Sequence, residues 1–205
     1  MSPRPYRMAG RRPGVEATRR RIVETAMRLH SQRGAIATSW EAIAAEAGVA
    51  RATVYHHFPS LDELVPACAQ VAFELSQIPT PARATAMFAH LPSPTVRLSY
   101  FIGETCRCYA AGADWLRAAW RERDLVPAME QSVARLQQAL RVLLDSVLVG
   151  LDLSVDQHRL LSTLLDFPFW ESLDRSGMAR ARIPDHIEQL ALTALAGAPT
   201  GGLRN

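Results

Sequence analysis

The sequence contains no lysine, only three cysteines and no long apolar run, and these absences exclude several classes of protein. Its uncharged apolar stretches stop well short of the roughly 20 residues that a membrane-spanning helix needs. The Arg-bearing N-terminus is not followed by the apolar segment of a signal peptide. Because Cys68, Cys106 and Cys108 are odd in number, a disulfide framework is not expected. We therefore predict a soluble, cytoplasmic protein with reduced thiols and no membrane partner.

The sequence also lacks the common motifs of enzymes and metal sites. It has no Gly-rich phosphate loop, no nucleophile elbow and no histidine and carboxylate at catalytic spacing. Cys106 and Cys108 lie two apart and would point to different faces of a helix, and His158 has no partner at ligand spacing. We predict no metal and no cofactor, while a thiol redox sensor stays open.

The composition that is present is that of a globular, helical protein. Of the 205 residues, 48% are hydrophobic and 21% are charged, which suits one domain or a small domain fused to a medium one. Apolar residues recur at the helical period in each strong segment, and no segment shows the alternation typical of a strand. The sequence therefore predicts an all-α fold.

Charge is distributed unevenly along the chain. Residues 1–60 hold 10 Arg against 4 Glu, a balance of +6, whereas residues 61–205 hold 13 Arg against 16 acidic residues, a balance of −3. A small basic segment on a mildly acidic body is typical of a protein that docks on a phosphate backbone. A solvated basic tail is the alternative.

Three regions are predicted. Residues 1–14, rich in Arg, Pro and Gly, should form a disordered basic arm. Residues 15–76 hold short helical segments, and residues 77–205 hold longer ones after a proline-rich connection.

Cap and turn signals divide the region 15–76 into helices. Gly34 and Gly48 are predicted to end the first and second helices in a left-handed conformation. Thr38 with Glu41 is predicted to form the capping box that opens the second helix. Two short helices over residues 38–58, separated by a turn at Gly48, are typical of a helix-turn-helix unit.

The second helix of this unit carries side chains suited to DNA. Arg51 can form a bidentate pair with guanine, and Thr53, Tyr55 and His57 can donate to phosphate oxygens. A helical hairpin inside some other fold is the alternative that spacing alone leaves open.

Residues 19–64 resemble the DNA-binding domain of the TetR family of bacterial transcriptional regulators. The resemblance rests on the following residues, which fall at the family's spacings: Thr38-Ser39, Ile43-Ala44, Ala47-Gly48-Val49, Thr53-Val54-Tyr55, His57-Phe58 and Leu64. It implies a protein of about nine helices. Its DNA-contacting positions would be Thr38, Ser39, Ala50, Arg51, Ala52, Thr53, Tyr55, His56 and His57.

Three positions depart from the family pattern. Ala50 stands where the family usually has a capping Ser, which costs about 1 kcal/mol of local stability. Ala52 replaces a common Gly and could place its methyl group against thymine. Leu61 replaces a Lys that usually contacts phosphate, and Arg residues in the arm (4, 7, 11 and 12) could reach the DNA instead.

Longer helical segments are predicted over residues 95–111, 114–123, 127–149, 154–176 and 184–196, with a bend at Pro168. By resemblance, this region binds a ligand, and its last two long helices pair with those of a second copy. Side chains predicted at that dimer interface are Leu161, Leu165, Trp170, Ile187, Ala191 and Ala194. A central position in the protomer's own core is the alternative for these helices.

An effector pocket is predicted between the middle helices. Apolar and polarisable side chains could line it: Met87, Phe88, Phe101, Cys106, Tyr109, Trp115, Trp120 and Met129. Each could equally be a core residue.

The predicted function is that of a homodimeric repressor, released from a pseudopalindromic double-stranded operator by a small apolar effector. A DNA-binding regulator without an effector and a small helical enzyme are the alternatives. The sequence favours a protein without enzymatic activity.

Overall fold

The computed structural model describes residues 12–76 and 81–196 of the chain, and in these residues it contains helices and no strands. The all-α prediction is therefore confirmed. The α-helices are α1 Arg12–Arg33, α2 Trp40–Ala47, α3 Arg51–His57, α4 Leu61–Ser76, α5 Pro81–Phe88, α6 Pro94–Glu122, α7 Pro127–Val147, α8 Val155–Leu164, α9 Phe167–Arg175 and α10 Ile183–Ala196. A short 3-10 helix, Arg180–Arg182, leads into α10.

Local capping explains where α2 begins and ends. The N-cap is Ser39, whose side chain accepts a hydrogen bond from the Ala42 amide at 3.1 Å. The predicted capping role of Thr38 is therefore wrong by one residue: its buried hydroxyl donates to the Gly34 carbonyl instead. Gly48 ends α2 at a φ of 64°, as predicted, because glycine enters the left-handed region without a steric cost.

Three predicted helix boundaries are corrected. The segments 95–111 and 114–123 form the single helix α6, and α1 begins at Arg12 inside the predicted arm. The segment 154–176 is two helices rather than one bent helix. Its second half restarts at the N-cap Asp166, whose carboxylate accepts from the Phe167 amide, and Pro168 occupies the first turn of α9.

The chain forms two compact units. The head unit comprises residues 12–75 and 117–133 of the described chain, and the body unit comprises the other described residues. Residues 117–133, which the sequence groups with the longer helices of the second region, thus lie in the head unit.

Apolar side chains from α1 to α4 build the core of the head. Ile22, Ile43, Val54, Phe58 and Leu64 are each at most 1% exposed. Their burial fixes the rotation of α2 and α3, and therefore the side chains that each helix presents to solvent.

In the body, α8 and α10 are joined at their opposite ends. Gln157 forms a capping box with Ser154, and its side-chain amide also donates to the carbonyls of Ala194 and Leu195, at 3.0 and 3.3 Å. The body also contains a cluster of three aromatic rings. Phe167 stacks on Trp170 and meets Tyr109 edge to face.

Candidate DNA-binding site

Helix α3 has a buried side and an exposed side. Val54 faces the core and is fully buried. Arg51, Ala52 and His56 are exposed, whereas Thr53, Tyr55 and His57 are half-buried. The exposed residues lie at positions i, i+1 and i+5, on one side of a helix. This side presents a guanidinium, a methyl group and an imidazole to solvent.

Ala50 is the N-cap of α3, and it forms no side-chain cap hydrogen bond. The absence of a side-chain cap is expected from the sequence, because alanine has no acceptor for the amides of the first helical turn. The start of α3 depends instead on the backbone, where the Ala50 carbonyl accepts from the amides of Thr53 and Val54.

Arg51 is held by a neighbouring carboxylate and by an aromatic ring. One terminal nitrogen of its guanidinium forms an ion pair with Glu41 of α2. The other donates to the Tyr55 hydroxyl at 3.2 Å, and the guanidinium carbon lies 5.2 Å from the centre of that ring. The sequence predicts Glu41 only as part of a capping box. The ion pair with Arg51 depends on how α2 packs against α3, so no local pattern reports it.

The two predicted phosphate anchors before α2 lie in different environments. Thr38 is buried, and its hydroxyl is engaged by the Gly34 carbonyl at 2.6 Å. Ser39 is exposed and uses its oxygen as the acceptor in the cap. Since a hydroxyl both accepts and donates, the Ser39 proton is available to a phosphate oxygen. Of the pair, Ser39 is the residue whose side chain can reach DNA directly.

The C-terminal turn of α3 carries two adjacent histidines. Burial, together with the positive charges of His56 and Arg19, lowers the pKa of His57 below its ordinary value. A neutral imidazole with one N–H can donate to a phosphate without adding a charge. Arg19 itself lies over the ring of the buried Phe58, 4.8 Å from its centre.

A carboxylate far away in the sequence stabilises the turn between α1 and α2. Glu122, at the end of α6, is buried and accepts from the amides of Ala35 and Ile36 at 2.7 and 3.3 Å. Gly34, at a φ of 93°, allows this approach, because a Cβ there would collide with Oε1 of Glu122. Glu122 thus holds the turn that leads into α2. No local pattern in the sequence points to this contact.

The predicted arm contacts can be placed only in part. Arg4, Arg7 and Arg11 lie outside the described residues, and Arg12 begins α1. Leu61, at the position usually held by Lys in the family, is half-buried as the first residue of α4.

The residues predicted to line one effector pocket do not form one cluster within either unit. Trp120 and Met129 belong to the head unit, whereas the other six belong to the body unit. In the body, Phe88 meets Phe101 edge to face, and the Tyr109 hydroxyl donates to the Leu165 carbonyl at 2.7 Å. These contacts are those of core residues.

An open cleft in the body unit is lined by a different set of residues. It has a volume of about 180 Å³ and contains none of the predicted pocket residues. At one side, the Gln137 amide donates to the Asp166 carboxylate at 2.7 Å. The lining residues are Gln137, Leu140, Arg141, Leu144, Ser162, Thr163, Leu165 and Asp166.

The three cysteines of the chain lie in surroundings that disfavour the reactive thiolate. Burial raises the pKa of Cys68 and of Cys106 to about 12, so both sulfurs are held in the unreactive thiol form. Burial also raises the pKa of the half-buried Cys108. Among the residues described, no group of three or more His, Cys, Asp or Glu side chains could hold a metal ion.

Five of the six predicted interface residues lie inside their own protomer. Their exposed fractions range from 0 to 4%, and they are Leu161, Leu165, Trp170, Ile187 and Ala191. Ala194 is half-buried. A side chain without exposed surface offers no area to a partner, so these five fit the core alternative. Large apolar side chains of α8 and α10 that do reach solvent are Val155, Leu160, Leu190 and Leu192.

Comparison with known proteins agrees with this geometry. Residues 22–68 match the family model of bacterial regulatory proteins of the tetR family. A TetR-like transcriptional regulator from Rhodococcus sp. RHA1 is 23% identical, with 88% of this chain and 97% of that one aligned at a TM-score of 0.62. The multidrug binding protein EbrR, solved with imidazole, is 20% identical, with 98% and 100% aligned at a TM-score of 0.62.

EbrR has also been solved with ethidium. No curated protein matches the chain. In the parts of the chain that the structure describes, no helix is long and apolar enough to cross a membrane. The family match over residues 22–68 confirms the resemblance drawn from the helix-turn-helix residues, and the solved structures share the fold of the chain.

Proposed function

Since residues 22–68 match the bacterial regulatory proteins of the tetR family, we propose that the chain is a homodimeric repressor. It reads a pseudopalindromic operator with α3 and releases that operator when the body unit binds a small apolar effector. The observation that carries the proposal is the exposed side of α3, where Arg51, Ala52 and His56 stand clear of a buried core.

Base reading follows from the chemistry of this exposed side. A recognition helix enters the major groove, where guanine presents two acceptors that a guanidinium can meet with two donors. Arg51 has five N–H donors, and Glu41 and Tyr55 occupy one terminal nitrogen each. Donors therefore remain for a base edge while the side chain stays ordered.

Phosphate anchoring surrounds this reader. Ser39 lies at the N-terminus of α2, where the exposed amides and the helix dipole favour an anion. Thr53, Tyr55 and His57 flank the reading side of α3, and Tyr55 can donate its own proton while it accepts from Arg51. The excess of +6 over residues 1–60 attracts the backbone as a whole.

A second copy would provide the second recognition helix. Two such helices about 34–36 Å apart read half-sites one turn of the duplex apart. We place the dimer contact on the exposed apolar side chains of α8 and α10, principally Leu160 and Leu190, which are 48% and 46% exposed. Removing these side chains from water is the driving force for association. Sedimentation of Leu190→Asp should then give a monomer where the wild type is a dimer, and a dimeric variant would reject this face.

The effector would bind in the body unit, which contains an open cleft of about 180 Å³. EbrR, a protein of the same fold, has been solved with imidazole and with ethidium. A thermal-shift screen of small apolar compounds should raise the melting temperature with at least one of them, because a ligand that binds the native state stabilises it. If no compound shifts the transition, a regulator without an effector is favoured.

The test of the whole proposal is selection of bound sequences from a random duplex pool at near-physiological salt. We expect enrichment of a pseudopalindrome with two half-sites. Binding to all duplexes alike, or to none, would contradict the proposed function.

A further inference from the structure

The ion pair between Glu41 and Arg51 places a carboxylate beside the predicted base reader. Glu41 lies in the first turn of α2, and Arg51 is the first residue of α3. Both side chains are more than half exposed, at 56% and 57%, so solvent screens their attraction and the pair adds little to folding. The reason for an acidic group on a face that would approach phosphates must therefore lie elsewhere.

The same guanidinium is also restrained by one aromatic residue, Tyr55. Tyr55, one turn along α3, accepts a hydrogen bond from it at 3.2 Å and places its ring 5.2 Å away. The Tyr55 ring in turn packs on Trp40, with ring centres 5.2 Å apart. Glu41 and Tyr55 bind opposite terminal nitrogens of Arg51. A long side chain with many rotamers is thus held in one orientation before any DNA arrives.

We propose that Glu41 is a specificity-determining residue, which positions Arg51 for base reading. The inference rests on the proposed function, since it requires that α3 reads DNA. A pre-ordered guanidinium loses less conformational entropy when it pairs with guanine, and it turns less readily to a nearby phosphate. Glu41 thereby keeps Arg51 on the base edge.

The carboxylate has a second effect, which has the opposite sign for affinity. A negative charge near the phosphates opposes binding to any duplex, whatever its sequence. Glu41 therefore lowers non-specific affinity while it raises discrimination at one base pair. These two effects separate a positioning role from a structural role, because loss of folding would lower both quantities.

The experiment measures dissociation constants for a selected duplex and for a duplex altered at the base pair read by Arg51, at one fixed salt concentration. The variants are Glu41→Gln, Arg51→Ala and the double variant. Glu46→Gln is the matched control, because it removes the same charge from the same helix, where Glu46 pairs with Arg28 instead. Thermal unfolding of each variant verifies the fold.

The ratio of the two dissociation constants should fall about fivefold or more in Glu41→Gln, out of the roughly 5- to 150-fold that one arginine–guanine pair provides. Affinity for the altered duplex should rise about threefold. Glu46→Gln should leave the ratio unchanged. In the Arg51→Ala background, Glu41→Gln should raise affinity for both duplexes equally.

A ratio unchanged in Glu41→Gln, or changed equally without Arg51, would overturn the positioning role. A ratio that increases would mean that Glu41 sequesters Arg51 from DNA, which also overturns it. If the wild type selects no sequence at all, the proposed function has failed first, and this result differs from a selective wild type with an indifferent Glu41→Gln.

Discussion

The head and body units differ in how their candidate functional side chains relate to the core. In the head, the candidate DNA contacts are mostly exposed or half-buried, and they alternate with core residues on the same short helices. In the body, the aromatic side chains are buried, and these include Phe88, Phe101, Tyr109 and Trp170. An exposed side chain is not constrained by core packing, so its chemical type can report on a ligand. A buried apolar side chain is already explained by the core, so sequence patterns locate candidate functional residues better in the head.

The largest expected effect concerns a buried contact inside the head unit. Glu122→Ala should lower the free energy of unfolding by about 4 kcal/mol, because it leaves two backbone amides without the acceptor that satisfied them. Urea denaturation measures this. Glu130→Ala, which removes an exposed carboxylate from the same unit, is the control and should change stability by less than about 0.5 kcal/mol. Equal effects of the two variants would contradict the role of Glu122 in the head.

The second prediction concerns a titratable group in the head. His30 is fully buried, and burial lowers its pKa to about 4 from an ordinary value of 6.5. Above pH 6.5, His30 is neutral in both states. Between pH 6.5 and 4, the unfolded chain binds the proton and the folded chain does not, so stability falls with pH by about 3 kcal/mol in total.

Urea denaturation at pH 7 and pH 5 measures the part of this loss that occurs above pH 5, about 2 kcal/mol. His30→Leu removes the group that titrates, so its stability should fall less over the same interval. If both proteins lose the same free energy, His30 does not titrate as its burial requires.

The third prediction tests whether a predicted pocket residue of the body is instead a core residue. Tyr109→Phe removes the buried hydroxyl that donates to the Leu165 carbonyl, and it should cost about 1 to 2 kcal/mol of unfolding free energy. DNA affinity at 25 °C should be unchanged. A stable variant that loses a thermal shift caused by an effector would move Tyr109 back into a ligand site.

The smallest effect separates stability from DNA affinity within the head. Ser39→Ala removes the cap of α2 and should cost about 1 kcal/mol of stability as well as a phosphate donor. Ser39→Asp keeps a cap acceptor but repels phosphate, so it should unfold like the wild type and bind DNA more weakly. Denaturation and DNA titration of both variants measure the two quantities. Wild-type DNA affinity in Ser39→Asp would exclude Ser39 from the interface.

Local signals predicted the helix-turn-helix unit because its turns are set by single residues. Gly34 and Gly48 adopt the left-handed conformation where expected. The single helix α6 could not be predicted in this way, since Gly112 weakens helix formation by about 1 kcal/mol and tertiary burial of Tyr109 and Ala113 overrides that cost. The start of α9 had a readable signal, an N-cap Asp166 followed by Pro168.

Other contacts depend on packing that no pattern in one sequence reports. Glu122 reaches a turn 87 residues away in the chain. The apolar residues of α8 and α10 have the same helical period whether they face their own core or a partner, so the choice between these two surfaces needs the fold. For this reason the periodicity predicts the buried Leu161 at the dimer interface and does not single out its exposed neighbour Leu160.

We propose that the exposed side of α3 reads bases through Arg51. Titration of wild type and Arg51→Ala against a selected duplex and a one-pair variant tests it most directly. Arg51→Ala should lose the discrimination of about 1 to 3 kcal/mol at that single base pair. It should keep its preference at the other positions of the half-site. Equal loss of affinity for both duplexes would show that Arg51 contacts only phosphate, which would contradict the account.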